Sequence, residues 1–236
     1  MKLDLAFIGT AFIELLTAVP TTLLVTFVAV VCGFLIGVAV AVVRMYRVPV
    51  LYPAAAAYVT FIRGTPMLTH LLLVYFGLPA LIDGLAGICG WKVNTASIPM
   101  IAFAFLAFSL TSGAYMSEVV RSGLLAVGRG QTEAALSLGM TPSQTLRRIV
   151  MPQALAAAVP SLSNAVIGML HASTLVFAVS VVDINAKAQI VASNNWKYFE
   201  SYLAAAALFW ALTAAVEGAA ALIERRLRAY GEGGAA

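Results

Sequence analysis

The sequence predicts an all-α integral membrane protein in which a single domain is threaded through the bilayer by five transmembrane helices. Three observations carry this prediction: an apolar composition, the lengths of the apolar runs, and the placing of charge between them. Of 236 residues, 62% are hydrophobic and 10% charged, with a mean hydropathy of +0.96. A soluble domain carries about a quarter charged residues, so most of this surface meets hydrocarbon. The lipid bilayer is therefore its first partner, and a bundle of helices satisfies every backbone group inside it.

A helix crossing the hydrocarbon core needs roughly 20 apolar residues. Five runs meet this length, at about 20–43, 60–82, 98–120, 152–182 and 202–223. Residues 5–19 precede the first and predict a helix lying at the membrane interface. The second run follows a short Ala-rich helix and starts within the stretch after Pro53, with Arg63 near its cytoplasmic end. Pro20, Pro53, Pro99 and Pro152 fall near segment starts, where a missing N–H is tolerated. The start Met1-Lys2-Leu3-Asp4 lacks the basic region and cleavage site of a signal peptide and reads as retained sequence.

Basic residues fix the expected orientation. Arg44 and Arg47 follow the first run, Arg121, Arg129, Arg147 and Arg148 separate the third from the fourth, and Arg225, Arg226 and Arg228 follow the fifth. The opposite loops hold Asp83 and Lys92, then Asp183, Lys187, Lys197 and Glu200. Cytoplasmic loops carry the excess of Lys and Arg, so the N-terminus is expected outside and the C-terminus inside. The net charge of +4 is spread over these short loops, which argues against a nucleic-acid surface. Cys32 and Cys89 lie far apart in this topology and form no metal spacing.

Chemistry is sparse along the chain. Glu14, Glu118 and Glu217 are scattered over different helices, with no spacing that suggests an enzyme. A secondary transporter or channel would need a coupling-ion site or a polar pore, and no inverted repeat is present. No GxxxxGK[ST] phosphate loop occurs, so the chain is expected to bind no nucleotide itself. The loop at about 128–150 contains Gly130-Gln131-Thr132-Glu133-Ala134-Ala135-Leu136-Ser137-Leu138-Gly139. Its composition predicts a short amphipathic helix over Thr132–Leu138, capped by a left-handed Gly139 and stopped by Pro142. Ala134 and Ala135 are small enough for close packing, as a docking element requires.

Glu133-Ala134-Ala135, then Gly139, then Ile149 and Pro152 resembles the EAA signature of ABC importer permeases, with Met151 where the family has Leu. The resemblance extends through Phe61-Ile62-Arg63-Gly64-Thr65-Pro66, Ser109 to Tyr115, Glu118 to Arg121, Gln144 to Arg148, and Pro152 to Leu155. These motifs are similar to those of the polar amino acid permeases of the histidine and glutamine type. They imply a type I ABC importer permease in the bacterial inner membrane, which is a transport subunit and not an enzyme. Gln131, Glu133, Ala134, Ala135, Leu138 and Gly139 would then couple to a pair of ABC ATPase subunits, which bind the ATP and Mg. A second permease protomer, identical or paralogous, and an extracytoplasmic substrate-binding protein complete the implied assembly.

Polar residues near mid-membrane are costly unless paired or functional. The expected substrate residues are Ser109 and Ser112 on the third span, and Asn164, Gly168, His171, Ser173 and Thr174 on the fourth. Asn164 and His171 are two turns apart on one helical face. Permeases for basic amino acids often read Asn-Glu and Lys-Asp-Thr-Ser-Leu here, whereas this chain has Asn164-Ala165 and His171-Ala172-Ser173-Thr174-Leu175. The two missing carboxylates favour a zwitterion over a cation. The stretch from Val181 to Tyr202 looks like the cystine branch, so cystine or a related sulphur-containing amino acid is expected. Glutamine or another neutral polar amino acid is the alternative.

Overall fold

In the computed structural model, residues 3–232 are described, with side chains as far as Leu227; the side chain of Arg228 and the Gly-rich tail after Glu232 lie outside this description. Ten α-helices make up the described residues: α1 Leu5–Leu16, α2 Val19–Met45, α3 Leu51–Gly64, α4 Met67–Cys89, α5 Met100–Leu125, α6 Arg129–Ser137, α7 Pro142–Thr145, α8 Met151–Ala172, α9 Ile184–Asn195 and α10 Tyr198–Glu232. A π-turn over Leu146–Val150 joins α7 to α8, and a 3-10 turn over Ser173–Val179 extends α8. Five segments are long and apolar enough to cross a membrane: α2, α4, α5, the run from α7 through Val179, and α10.

Boundaries differ from the expected segments where local chemistry intervenes. The second run is divided at Thr65-Pro66. Proline forces the preceding residue into extended backbone, and Thr65 has φ −127° and ψ 152°. The crossing helix α4 therefore starts at Met67 and runs on to Cys89. The fourth run changes from α to 3-10 after Ala172 and ends at Ser180, whose φ is 60°. The leading helix α1 does more than lie at an interface. Ala11 and Leu15 on one of its faces pack against Ile184, Ala188, Val191, Ala204 and Leu208 of α9 and α10. Lys197 clamps Asp4 at 2.6 Å and Lys187 reaches Glu14 at 3.8 Å, which tie its ends to the same pair.

The fold is organised around α5, the most buried of the five spans. It lies tightly along α2. A Cβ at Gly33 would collide with the Ser112 side chain, and one at Gly37 would sit 2.6 Å from Met116 Cβ and 2.9 Å from the backbone of Ser117. Small residues four apart let two backbones approach this closely, which is how helices associate without a hydrophobic driving force between them. The second flank of α5 receives α8 through Gly123, where a Cβ would meet Ala154 O and Ala158 Cβ at 2.9 Å. Val25, Ala29, Leu71, Phe108, Met169 and Val176 complete the core between α2, α4, α5 and α8.

At the end of the bundle away from α6, the α9 amide of Ile184 donates to Thr22 Oγ1 at 3.1 Å. Asp183 caps α9 by accepting from the Ala186 amide at 2.8 Å, but it is fully buried and its second oxygen has no partner among the described residues. Burial raises its pKa above the ordinary carboxylate value, against the opposing pull of the amides that it caps.

Gly37→Leu should overpack the α2–α5 seam and lower stability by about 1–3 kcal/mol, read as an earlier melting transition in detergent or nanodiscs. A carboxylate with a raised native pKa contributes most below its unfolded value of about 3.8, and that contribution is lost as pH rises through the native value. Asp183→Asn keeps a capping oxygen without the buried charge. Its melting temperature should therefore exceed the wild type's at pH 7 and converge with it as pH falls towards 4.

Candidate functional site

Two concavities flank α5, and they differ in chemistry. The larger, about 640 Å³, is a groove behind α6 lined by apolar side chains such as Phe34, Val42, Val119, Leu136 and Leu155. The smaller, about 500 Å³, has α5 and α8 for walls and the α3–α4 elbow for a rim. Its size falls within the roughly 300–1,000 Å³ of small-molecule sites, and it gathers the convergent polar groups that fix a ligand's orientation. Arg63, Ser112, Tyr115, Glu118, Ser161 and Asn164 line it, together with Met67, Ala165, Gly168 and Met169.

Three of the expected substrate residues, Ser112, Asn164 and Gly168, meet at this cavity. Ser112 is nearly fully buried, and its hydroxyl, with no hydrogen-bond partner among the described residues, is packed under α2 at Gly33. It shapes the wall more than it presents a donor. Asn164 and Gly168 lie exposed along α8, one and two turns beyond the internal Pro160.

The other four lie elsewhere. Ser109 is buried in α5 outside the cavity lining. Ser173 donates to Leu170 O at 2.7 Å and Thr174 to His171 O at 2.8 Å, so both bond the backbone where α8 tightens into its 3-10 turn. His171 lies past the end of the cavity. Its Nε2 is 3.1 Å from Thr213 Oγ1, and its ring meets Phe209 edge-on, so it joins α8 to α10. The shared face with Asn164 is real in angle, but two turns of rise carry His171 onto a different neighbour.

The charged groups come from three helices: Arg44 on α2, Arg63 on α3, and Glu118 with Arg121 one turn apart on α5. Glu118 on α5 accepts from Arg44 Nη1 at 2.6 Å through Oε1, and from Arg121 Nε and Nη2 at 2.9 and 2.7 Å through Oε2. Arg63 stands off at 3.7 Å from Oε1, and its guanidinium lies 6.0 Å from the Tyr115 ring centroid. Sequence reasoning missed this assembly by treating Glu118 as one of several scattered acids. The available signal was three arginines and one carboxylate at the same ends of apolar runs. The elbow that carries Arg63 is braced by buried His70, which bridges Thr65 Oγ1 at 2.6 Å and Thr111 Oγ1 at 3.0 Å.

At the loop end, α6 begins three residues earlier than expected, at Arg129, and ends as expected at a left-handed glycine. Gly139 has φ 83°. Its amide bonds Leu136 O at 2.9 Å while the Met140 amide bonds Ala135 O at 3.1 Å, the paired bonds of a Schellman cap. Pro142 does more than stop the helix. It opens α7 behind Thr141, which forms a capping box with Gln144. Ala135 faces the bundle and is buried, whereas Gln131, Glu133, Ala134, Leu138 and Gly139 are exposed, Leu138 to 85%. A short rigid helix thus holds a small, outward surface clear of the spans.

Comparison with known proteins gives this arrangement its family. Residues 33–229 match the model of the "Binding-protein-dependent transport system inner membrane component" family. The chain belongs to this family. Its relatives include a probable amino-acid permease protein, YxeN, of Bacillus subtilis (strain 168), 36% identical over 89% of this chain and 90% of that one. The L-cystine transport system permease protein TcyL of the same organism is 34% identical over 95% of this chain and 92% of its own length. Among solved structures, an amino acid ABC transporter crystallised with histidines superposes with a TM-score of 0.80 at 34% identity, covering 96% of this chain and all of that one. This inner membrane component therefore has the type I ABC importer permease fold and is a bacterial transport subunit, not an enzyme.

Proposed function

We propose that this chain is the permease of an ABC importer for a zwitterionic amino acid, L-cystine or a related sulphur-containing amino acid foremost, and that the smaller cavity is its substrate site. The observation that carries this reading is Ala165. It lines the cavity beside Asn164, at the place where permeases for basic amino acids often carry a glutamate. The one carboxylate left on the wall, Glu118, is already occupied by Arg44 and Arg121. A cationic side chain would enter this cavity with nothing to neutralise it, and a desolvated unpaired charge is costly. Asn164, Ser161 and the Tyr115 hydroxyl offer a zwitterion neutral donors and acceptors.

Transport itself follows from geometry at two levels. The exposed surface of α6 would seat in a groove of an ABC ATPase, with ATP and Mg held by that partner. Closure of two such ATPases would move α6 in each of two permease protomers and bias the bundle between arrangements. In this reading the N-terminus lies outside and the C-terminus inside. An extracytoplasmic binding protein would then dock on the loops near Trp91 and Trp196, both largely exposed.

In vesicles holding the permease, its ATPase and its binding protein, labelled cystine uptake should be competed by unlabelled cystine and only weakly by arginine. Ala165→Glu should raise the competition by arginine severalfold, and equal competition in both proteins would remove the basis for the substrate assignment. Gly139→Pro should abolish uptake while the chain still inserts, since proline holds φ near −65° and the cap requires 83°. Normal uptake by that variant would end the coupling assignment for α6.

A further inference from the structure

Glu118 and the three arginines around it do not balance in charge, and the imbalance faces the cavity. We infer that the Arg63 guanidinium receives the α-carboxylate of the transported amino acid, and that Glu118 is withheld from substrate by its own partners. The inference rests on the reading of this cavity as the substrate site.

Each oxygen of Glu118 already has a guanidinium donor within 2.9 Å, from Arg44 on one side and Arg121 on the other. Its negative charge is thus engaged away from the cavity, and three cations surround one anion. Arg63 is the surplus. At 3.7 Å it is beyond hydrogen-bond reach of Oε1, and its side chain is 48% exposed against 19% for Glu118. Arginine carries five donors and no acceptor, and among the described residues Arg63 makes no hydrogen bond to another side chain or to a carbonyl. It is nevertheless held in place. The face of Tyr115 lies beneath it, and the elbow two residues on is braced by His70 between Thr65 and Thr111.

A planar guanidinium on a cavity wall matches a carboxylate in two parallel hydrogen bonds. Arg44 and Arg121 sharpen this preference, because they hold by hydrogen bonds the one carboxylate that reaches Arg63 among the described residues, leaving Arg63 only the longer 3.7 Å ion pair. With the carboxylate at Arg63, the rest of an amino acid extends along α5 and α8 towards Ser161, Asn164 and Gly168. The ammonium then finds neutral acceptors such as Asn164 Oδ1. Cystine sets two carboxylates against two ammonium groups and brings no net charge to the net positive wall, whereas arginine brings one cation in excess and is opposed by it. That distinguishes cystine from arginine by charge and not by size.

The test measures binding to the whole permease–ATPase complex in nanodiscs without the binding protein, with L-cystine and L-glutamine as probes. Each is compared with an analogue that keeps the ammonium but lacks the anion: cystamine and cystine dimethyl ester for cystine, and 4-aminobutanamide for glutamine. Wild-type complex should prefer an amino acid over its analogues by about tenfold or more. Arg63→Gln should bring the amino acid down to the affinity of the analogues, and Arg63→Lys should restore part of the difference. The ester comparison needs no variant, so equal affinity there overturns the inference even if Arg63→Gln fails to fold, and Arg63→Lys supplies the variant that keeps the charge. Equal wild-type affinity for acid and ester, or discrimination that survives in Arg63→Gln, overturns the inference. Ser161→Phe fills the cavity. Loss of binding in that variant, alongside an innocent Arg63, would leave the site reading standing. Unchanged binding in Ser161→Phe, or no binding of either probe to wild type, would overturn both.

Discussion

The close approach of α2 to α5 is the constraint on which the rest of this molecule depends. Within a bilayer no hydrophobic force draws helices together, so association relies on packing and buried polar contacts. Gly33 and Gly37 remove the side chains that would separate α2 from Ser112, Met116 and Ser117. Seven residues after Gly37, on the same side of α2, comes Arg44, and one residue after Ser117 comes Glu118. The 2.6 Å ion pair between them is therefore a product of the seam. A wider seam would leave Glu118 free to close on Arg63, and the charge pattern of the cavity would reverse its meaning.

Much of the architecture was legible because the bilayer imposes it. A fixed hydrocarbon thickness turns length and composition into spans, and all five emerge in the sequence. The short helix α6 was legible for a different reason. Its end depends on one residue, Gly139, whose conformational freedom is local information. What escaped was long-range. Arg44 and Glu118 are 74 positions apart, and nothing on either helix announces the other. His171 shows the same limit from the opposite side. Its helical face was inferred correctly, but the helix that would stand opposite was not, and α10 occupies that place through Thr213. The split at Thr65-Pro66 was hidden inside an apolar run, although proline supplied the reason in plain view.

The polar cavity and the groove behind α6 share two helices, α5 and α8. Residues of α5 and α8 line both concavities: Val119 touches each, while Ala154 and Leu155 bound the apolar groove and Ser161 and Asn164 the polar cavity. A displacement of α6 against the groove thus acts on helices that also form the wall of the polar cavity. The groove is apolar, and among the described residues no side-chain hydrogen bond ties α6 to the helices that line it with Thr132 and Leu136. Such a contact can slide at small energetic cost, whereas the Glu118 cluster and the His70 brace resist separation.

The seam also bears on how the protein is made. The most apolar of the five spans is α2 and the least apolar is α5. Synthesis runs from the N-terminus, so α2 reaches the membrane first and can wait there alone, wetted by lipid. Its partner follows two spans later, bearing Glu118 and a row of hydroxyls that hydrocarbon would reject. The glycines of α2 then offer a berth that is already in place. The helix least able to live in lipid is delivered last of the pair, to a surface prepared to receive it.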